Sequence, residues 1–116
     1  MLKEEYMIAK KAAESVEQAV CYELQNIVKK YGATYHSEHE AYAVLLEEKE
    51  ETQDALESLE LTMGIIWNNI KANNSSLTYI YEAKERAIAI AEEAVQCAAV
   101  LERFLSTVGG EDYDRN

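Results

Sequence analysis

Glu47, Glu48 and Glu51 stand close together in one stretch of this chain, and Glu93 interrupts a distant run that is otherwise nearly free of charge. On a helix, Glu48 and Glu51 share a face, one above the other, in a row with Ala41, Val44 and Ala55. Like charges that are partly buried are costly unless a proton or a cation compensates them. Glu93 belongs to residues 87–101, where only three of fifteen residues are polar. Its row holds Ala89, Ile90, Cys97 and Val100, so its carboxylate points into packed material, and Gln96 follows one turn later. If the two helices pack antiparallel, Glu48, Glu51, Glu93 and Gln96 converge. Oxygen ligands from facing helices are how bundles hold hard cations such as Mg²⁺. The plain alternative is a solvated Glu-Glu-Lys-Glu-Glu face on a long helix.

Three helices must position these residues. The chain has no proline and only four glycines, which suits long uninterrupted helices. The first is expected over 2–31, with an apolar stripe of Ile8, Ala12, Ala13, Val16, Val20, Leu24, Ile27 and Tyr31. Lys29 and Lys30 suit its last turn, and Gly32 suits the C′ position. Ser37 and Glu40 have capping-box spacing, which starts the second helix at 38. That helix runs to 71 with a seam at 42, 45, 49, 52, 56, 59, 63, 66 and 70, which Lys49 and Thr52 violate; Gly64 is its weak point. Ala72-Asn73-Asn74-Ser75-Ser76 is a loop. A third helix follows over 77–106, ended by Gly109-Gly110, with 107–116 as a frayed polar tail.

The expected fold is a single all-α domain over 1–116: an antiparallel helical hairpin plus an N-terminal helix. The Ala-rich face of 87–101 is hard to cover with three helices, so a homo-oligomer, dimer or tetramer, with a four-helix-bundle-like core is expected. The heptad-like row Leu56, Leu59, Met63, Ile66 and Ile70 supplies part of that interface. With 22 acidic and 11 basic residues the net charge is −11, which disfavours nucleic acid and anionic membranes as partners. Nine acids fall within 38–60. A divalent cation reverses the sign of such a site, so nucleotides stay open as ligands. No apolar run spans a membrane and no signal peptide is visible. Cys21 and Cys97 read as reduced core thiols of a cytoplasmic protein.

Residues 35–51, with Glu92-Glu93-Ala94-Val95-Gln96-Cys97-Ala98-Ala99 downstream, resemble phage and prophage proteins of the MazG-like group within the all-α NTP pyrophosphatase superfamily. The resemblance covers about 22–105. It implies that an E-E-x-x-E motif and a later E-x-x-D motif lie on two packed helices and hold Mg²⁺. It also implies an activity, the splitting of a nucleoside triphosphate into a monophosphate and pyrophosphate. Glu47, Glu48 and Glu51 match the first motif. Glu93 matches the second, but Gln96 stands in place of the aspartate, and 41 residues separate Glu51 from Glu93, more than the family pattern. An amide there removes one negative charge and leaves a neutral oxygen ligand.

The expected metal ligands are thus Glu48, Glu51, Glu93 and Gln96, for Mg²⁺ or Mn²⁺. Glu47 is the candidate to deprotonate water, and His39 and Lys49 are candidates to touch the nucleotide. Each has a plain reading beside the functional one: Glu47 as a surface acid, His39 as a capping residue, Lys49 as a local offset to repulsion. Trp67, Tyr79 and Tyr81 suit base stacking, though aromatics at helical spacing are more often core or interface. Three functions stay open: a pyrophosphohydrolase, a protein that sequesters a nucleotide or nucleotide-derived signal, and a ligand-free structural or regulatory helical oligomer. No nucleophilic triad, P-loop, zinc site or EF-hand motif is present.

Overall fold

The computed structural model describes residues 3–115, with side chains over 9–109. Met1, Leu2, Asn116, and the side chains of residues 3–8, Ile8 of the expected stripe among them, and of residues 110–115 lie outside the described set, which takes in the charged start and the end of the expected tail. The described chain is all-α: α1 (Lys3–Tyr31), α2 (Glu38–Lys71) and α3 (Leu77–Arg115).

The ends of these helices follow from local chemistry. Gly32 takes φ 95° and its N–H donates to the Val28 carbonyl at 2.8 Å, the left-handed closure that a side chain resists. Ser37 caps α2, its Oγ accepting from the Glu40 N–H at 3.1 Å. At the far end, Asn73 turns left-handed (φ 57°) while its N–H donates to Ile70 at 3.1 Å and that of Asn74 to Asn69 at 2.8 Å. This is a Schellman closure with asparagine in the position glycine usually holds. Ser75 Oγ then accepts from the Leu77 N–H at 3.3 Å to start α3. Helix α2 passes Gly64 unbroken.

Helix α3 continues to Arg115, beyond the expected end at 106, so residues 107–115 are helical and not a frayed tail. Glycine costs a helix about 1 kcal/mol without forbidding it. Thr107 is also tied in on both sides. Its hydroxyl donates to the Arg103 carbonyl at 2.9 Å and accepts the Tyr35 N–H at 2.9 Å.

The chain forms two compact units, one of Met1–Leu45 with Val95–Asn116 and one of Leu46–Ala94. In the first, Tyr35, Ala41 and Val100 are buried, with Val44, Leu45 and Phe104 packed around them. Ala41 and Ala99 are wholly buried, small residues that let backbones approach closely. Arg103 is the polar centre of this unit, only 7% exposed. Its guanidinium donates to the carbonyls of Tyr31, Gly32 and Thr34, each at 3.1 Å, and lies 4.0 Å from the centroid of the Tyr35 ring. Two of those carbonyls end α1, so the cation meets the negative pole of that helix. On α1, Val20, Leu24, Ile27 and Val28 are half-buried, while Val16 and Tyr31 of the expected stripe are exposed. Both cysteines are free; Cys97 is half-buried, but Cys21 is exposed and is not the core thiol expected, because the packed face of α1 is turned away from it.

The second unit is a helical hairpin. Ser76 Oγ donates to the Ile66 carbonyl at 3.3 Å near the turn, and further out Glu48 and Glu51 of α2 meet Glu93 of α3, the register of antiparallel helices. The packed row of α2 here is 48, 52, 55, 59, 62, 66 and 69, all buried or half-buried. It shares 52, 59 and 66 with the expected seam, but 48, 55, 62 and 69 take the place of 49, 56, 63 and 70. Lys49, Leu56, Met63 and Ile70 turn outward, and Glu48 turns in. Thr52 and Thr62 fit this row because their hydroxyls donate back to Glu48 and Ser58 carbonyls, at 2.8 and 3.1 Å.

Replacing Arg103 by alanine strips three buried carbonyls of their donor, at an expected cost of about 3 kcal/mol. Urea unfolding checks this. Arg103→Lys is expected to recover less than half of the loss, because an ammonium cannot fork to three acceptors around a stacked plane.

Candidate metal centre

The hairpin brings three of the expected ligands together. Glu48 and Glu51 come from α2 and Glu93 from α3, and one carboxylate oxygen of each lies within 4.8 Å of the others. Their environments differ. Glu51 is exposed, whereas Glu48 and Glu93 are half-buried, each with one oxygen sealed from solvent. The sealed Oε2 of Glu93 has no hydrogen-bond donor. Glu93 sits among Ala89, Ile90 and Cys97, all half-buried, as its row predicts.

Burial pushes the Glu93 carboxyl above its ordinary 4.5. The Glu51 charge raises it further, as does a carboxyl–carboxyl hydrogen bond to Glu51, which exists only while a proton is held. The Glu92 charge adds to this in the same direction. The cluster therefore holds a proton where ordinary glutamates have lost theirs, which marks a place where a cation is electrostatically welcome.

The donor set fits a hard divalent ion. Carboxylate oxygens are the ligands Mg²⁺ and Mn²⁺ take. An octahedral Mg²⁺ sets neighbouring oxygens about 2.9 Å apart. The Thr52 hydroxyl donates to the Glu48 carbonyl at 2.8 Å, within the turn that follows Glu48.

The other expected site residues are placed as follows. Glu47 is exposed, next to Glu48 on α2. Lys49 is exposed, and its Nζ donates to Gln53 Oε1 at 3.0 Å. Gln96 is half-buried one turn beyond Glu93, and His39 is exposed in the first turn of α2; both belong to the other unit. Trp67 and Tyr81 are exposed and Tyr79 is half-buried. Trp67 lies sixteen residues past Glu51 on α2, about 24 Å along the axis, so it belongs to a different place on the hairpin. No protein-family model, no curated protein and no solved structure matches this chain.

The raised Glu93 carboxyl fixes a pH dependence. The folded chain holds this proton to higher pH than the unfolded chain, so the associated stability is present below 4.5 and is lost as pH rises through the raised value. Without divalent ions, wild-type stability is expected to fall from pH 4.5 towards neutrality relative to Glu93→Gln, which does not titrate. Urea midpoints of the two proteins, measured in chelator across that range, check it; parallel profiles contradict it.

Proposed function

We propose that this chain is a Mg²⁺-dependent nucleoside triphosphate pyrophosphohydrolase of the MazG-like kind, converting an NTP or dNTP to the monophosphate and pyrophosphate. The supporting observation is the meeting of Glu48, Glu51 and Glu93 from two helices, with their ligand oxygens within 4.8 Å. The spacing of Glu47, Glu48 and Glu51 and the resemblance it carries supply the reaction type. Mg²⁺, or Mn²⁺ in its place, supplies charge neutralisation for a triphosphate and lowers the pKa of a nearby water. Glu48, Glu51 and Glu93 would hold the ion. Glu47, exposed beside them, takes the proton from the attacking water. Lys49, exposed beside the carboxylates, contacts the phosphates. No described helix is long and apolar enough to cross a membrane. The reading places the protein in the cytoplasm, as a homo-oligomer, with a nucleotide and not a nucleic acid as its partner.

A second reading follows from Gln96, an amide where the family pattern has a carboxylate. A site one negative charge short binds a nucleotide or nucleotide-derived signal without cleaving it. Pyrophosphate release from a panel of NTPs and dNTPs with Mg²⁺ or Mn²⁺ separates the two. Turnover that disappears in Glu48→Ala and Glu93→Gln supports the enzyme. Saturable binding with the nucleotide recovered intact supports the second reading.

Mg²⁺ itself gives a simpler check. At a hundred times its Kd an ion bound only to the folded chain stabilises it by about 2.7 kcal/mol. The wild-type melting temperature is expected to rise with Mg²⁺, and that of Glu48→Ala to stay put. Equal curves with and without the ion leave a ligand-free helical oligomer as the surviving description.

A further inference from the structure

We infer that the groove between α1 and α3 is a docking site for a basic amphipathic helix of another protein, whose apolar face fills the groove and whose cations meet its acidic edges. Neither the nucleotide reading nor the association of this chain with itself enters into it. The groove lies within the first compact unit and has a volume of about 420 Å³. Val16, Val20 and Leu24 of α1 and Ala98 of α3 give it an apolar lining. Steps of four keep Val16, Val20 and Leu24 along one side of α1, a run of about 12 Å. Val16 is 54% exposed and Val20 and Leu24 are only half-buried, so the packing of this unit leaves the strip open.

Charge selects the occupant. Glu17 of α1 and Glu102 of α3 line the same groove, one on each wall, and both are exposed. No basic side chain lines it. Among the described residues neither glutamate has an ion-pair partner. Arg103, next to Glu102, is engaged by the carbonyls of Tyr31, Gly32 and Thr34. Glu14 lines a depression that shares Glu17 and Cys21 with the groove, which extends the acidic edge along α1. A second copy fits badly, because an isologous pair brings the same glutamates face to face and each chain carries −11. An anionic lipid surface is repelled by the same charges. Open apolar lining between unpaired acids is complemented by an apolar stripe between lysines or arginines.

The shape calls for a helix. Two packed helices leave a furrow that a third fills, with side chains at i, i+3, i+4 and i+7 seated between the ridges on either side. Ala98, with a single methyl, lets the incoming helix approach the α3 wall closely. About two turns of a helix match the length of the Val16–Leu24 strip. A lysine or arginine on each side of its apolar stripe reaches Glu17 or Glu102 while its aliphatic stem lies on the lining.

Cys21 also lines the groove and is exposed, so its rate of alkylation reports whether the groove is filled. The probe is a synthetic amphipathic helix of leucine and lysine, about five turns or roughly 18 residues long. Calorimetry with the full chain is expected to give saturable one-to-one binding, weakened by salt. A scrambled peptide of the same composition is expected to bind at least about tenfold more weakly, because its apolar side chains no longer share a face. Saturating lysine helix is expected to slow the alkylation of Cys21. Glu17→Lys combined with Glu102→Lys is expected to weaken binding at least about tenfold. Glu57→Lys combined with Glu60→Lys makes the same change of net charge at exposed hairpin positions and leaves binding within about twofold of the wild type. The inference is overturned by equal binding of the scrambled peptide, by equal losses in the two charge-reversed pairs, or by a Cys21 rate indifferent to the saturating helix. Shielding of Cys21 in the chain alone also overturns it: shielding that fades on dilution gives the groove to a second copy, and shielding at every dilution gives it to the chain's own residues. Should the charge-reversed variants lose helicity by circular dichroism, the Cys21 rates and the scrambled peptide decide on the wild type alone.

Discussion

The hairpin is constrained by having a carboxylate, Glu48, in the packed row of α2 and a second, Glu93, facing it from α3. An apolar pair at these positions would pack with less penalty, since half-burial takes hydration from a carboxylate. The surrounding row is arranged to limit that penalty. Alanines and self-bonded threonines leave room and carry no competing polar groups of their own. The result is a short acidic gap in an otherwise conventional helical interface, held open by the seams on either side of it.

The other unit solves a different electrostatic problem with the opposite sign of charge. Among the described residues Arg103 meets no carboxylate, and backbone carbonyls and an aromatic face take that role. Because those carbonyls lie at the end of α1 and in the link to α2, one side chain fixes where the first helix stops and how the link runs. The hydroxyl of Thr107 does the same for Tyr35. Cation and hydroxyl both come from the last third of the chain, so residues 31–35 are fastened to α3 by polar contacts.

Much of this was legible in the sequence, because the signals were local. Ser37, Gly32 and the Asn-Asn-Ser-Ser loop mark helix ends through bonds spanning a few residues. The bounds of the second helix and the start of the third follow from them. The approach of Glu48, Glu51 and Glu93 was legible for a related reason: helical spacing fixes faces, and a short loop fixes antiparallel order. The seam register was legible only in part: 52, 59 and 66 belong to the expected and the packed rows alike, but 49, 56, 63 and 70 give way to 48, 55, 62 and 69. Rows one position apart differ by only 100° around a helix, and Leu56, Met63 and Ile70 make the outward row look as apolar as the packed one. Arg103 escaped for a third reason. Its partners are carbonyls, which every residue carries, so no residue type announces them. Thr107 is likewise bonded to Tyr35, seventy-two residues away in the chain, a contact that no local pattern announces.

The row inside the hairpin alternates steps of four and three, and such a row returns to its starting face every seven residues. Arm length is therefore a quantity that changes in whole repeats. Taking one repeat from each arm between the carboxylates and the Asn73 turn would shorten the hairpin by about 10 Å while every remaining residue kept its face. The acidic gap at one end and the turn at the other would both survive unaltered. The distance between the two glutamate motifs along the chain is, in this architecture, a free dimension: evolution can lengthen or trim the hairpin without disturbing the geometry at its base.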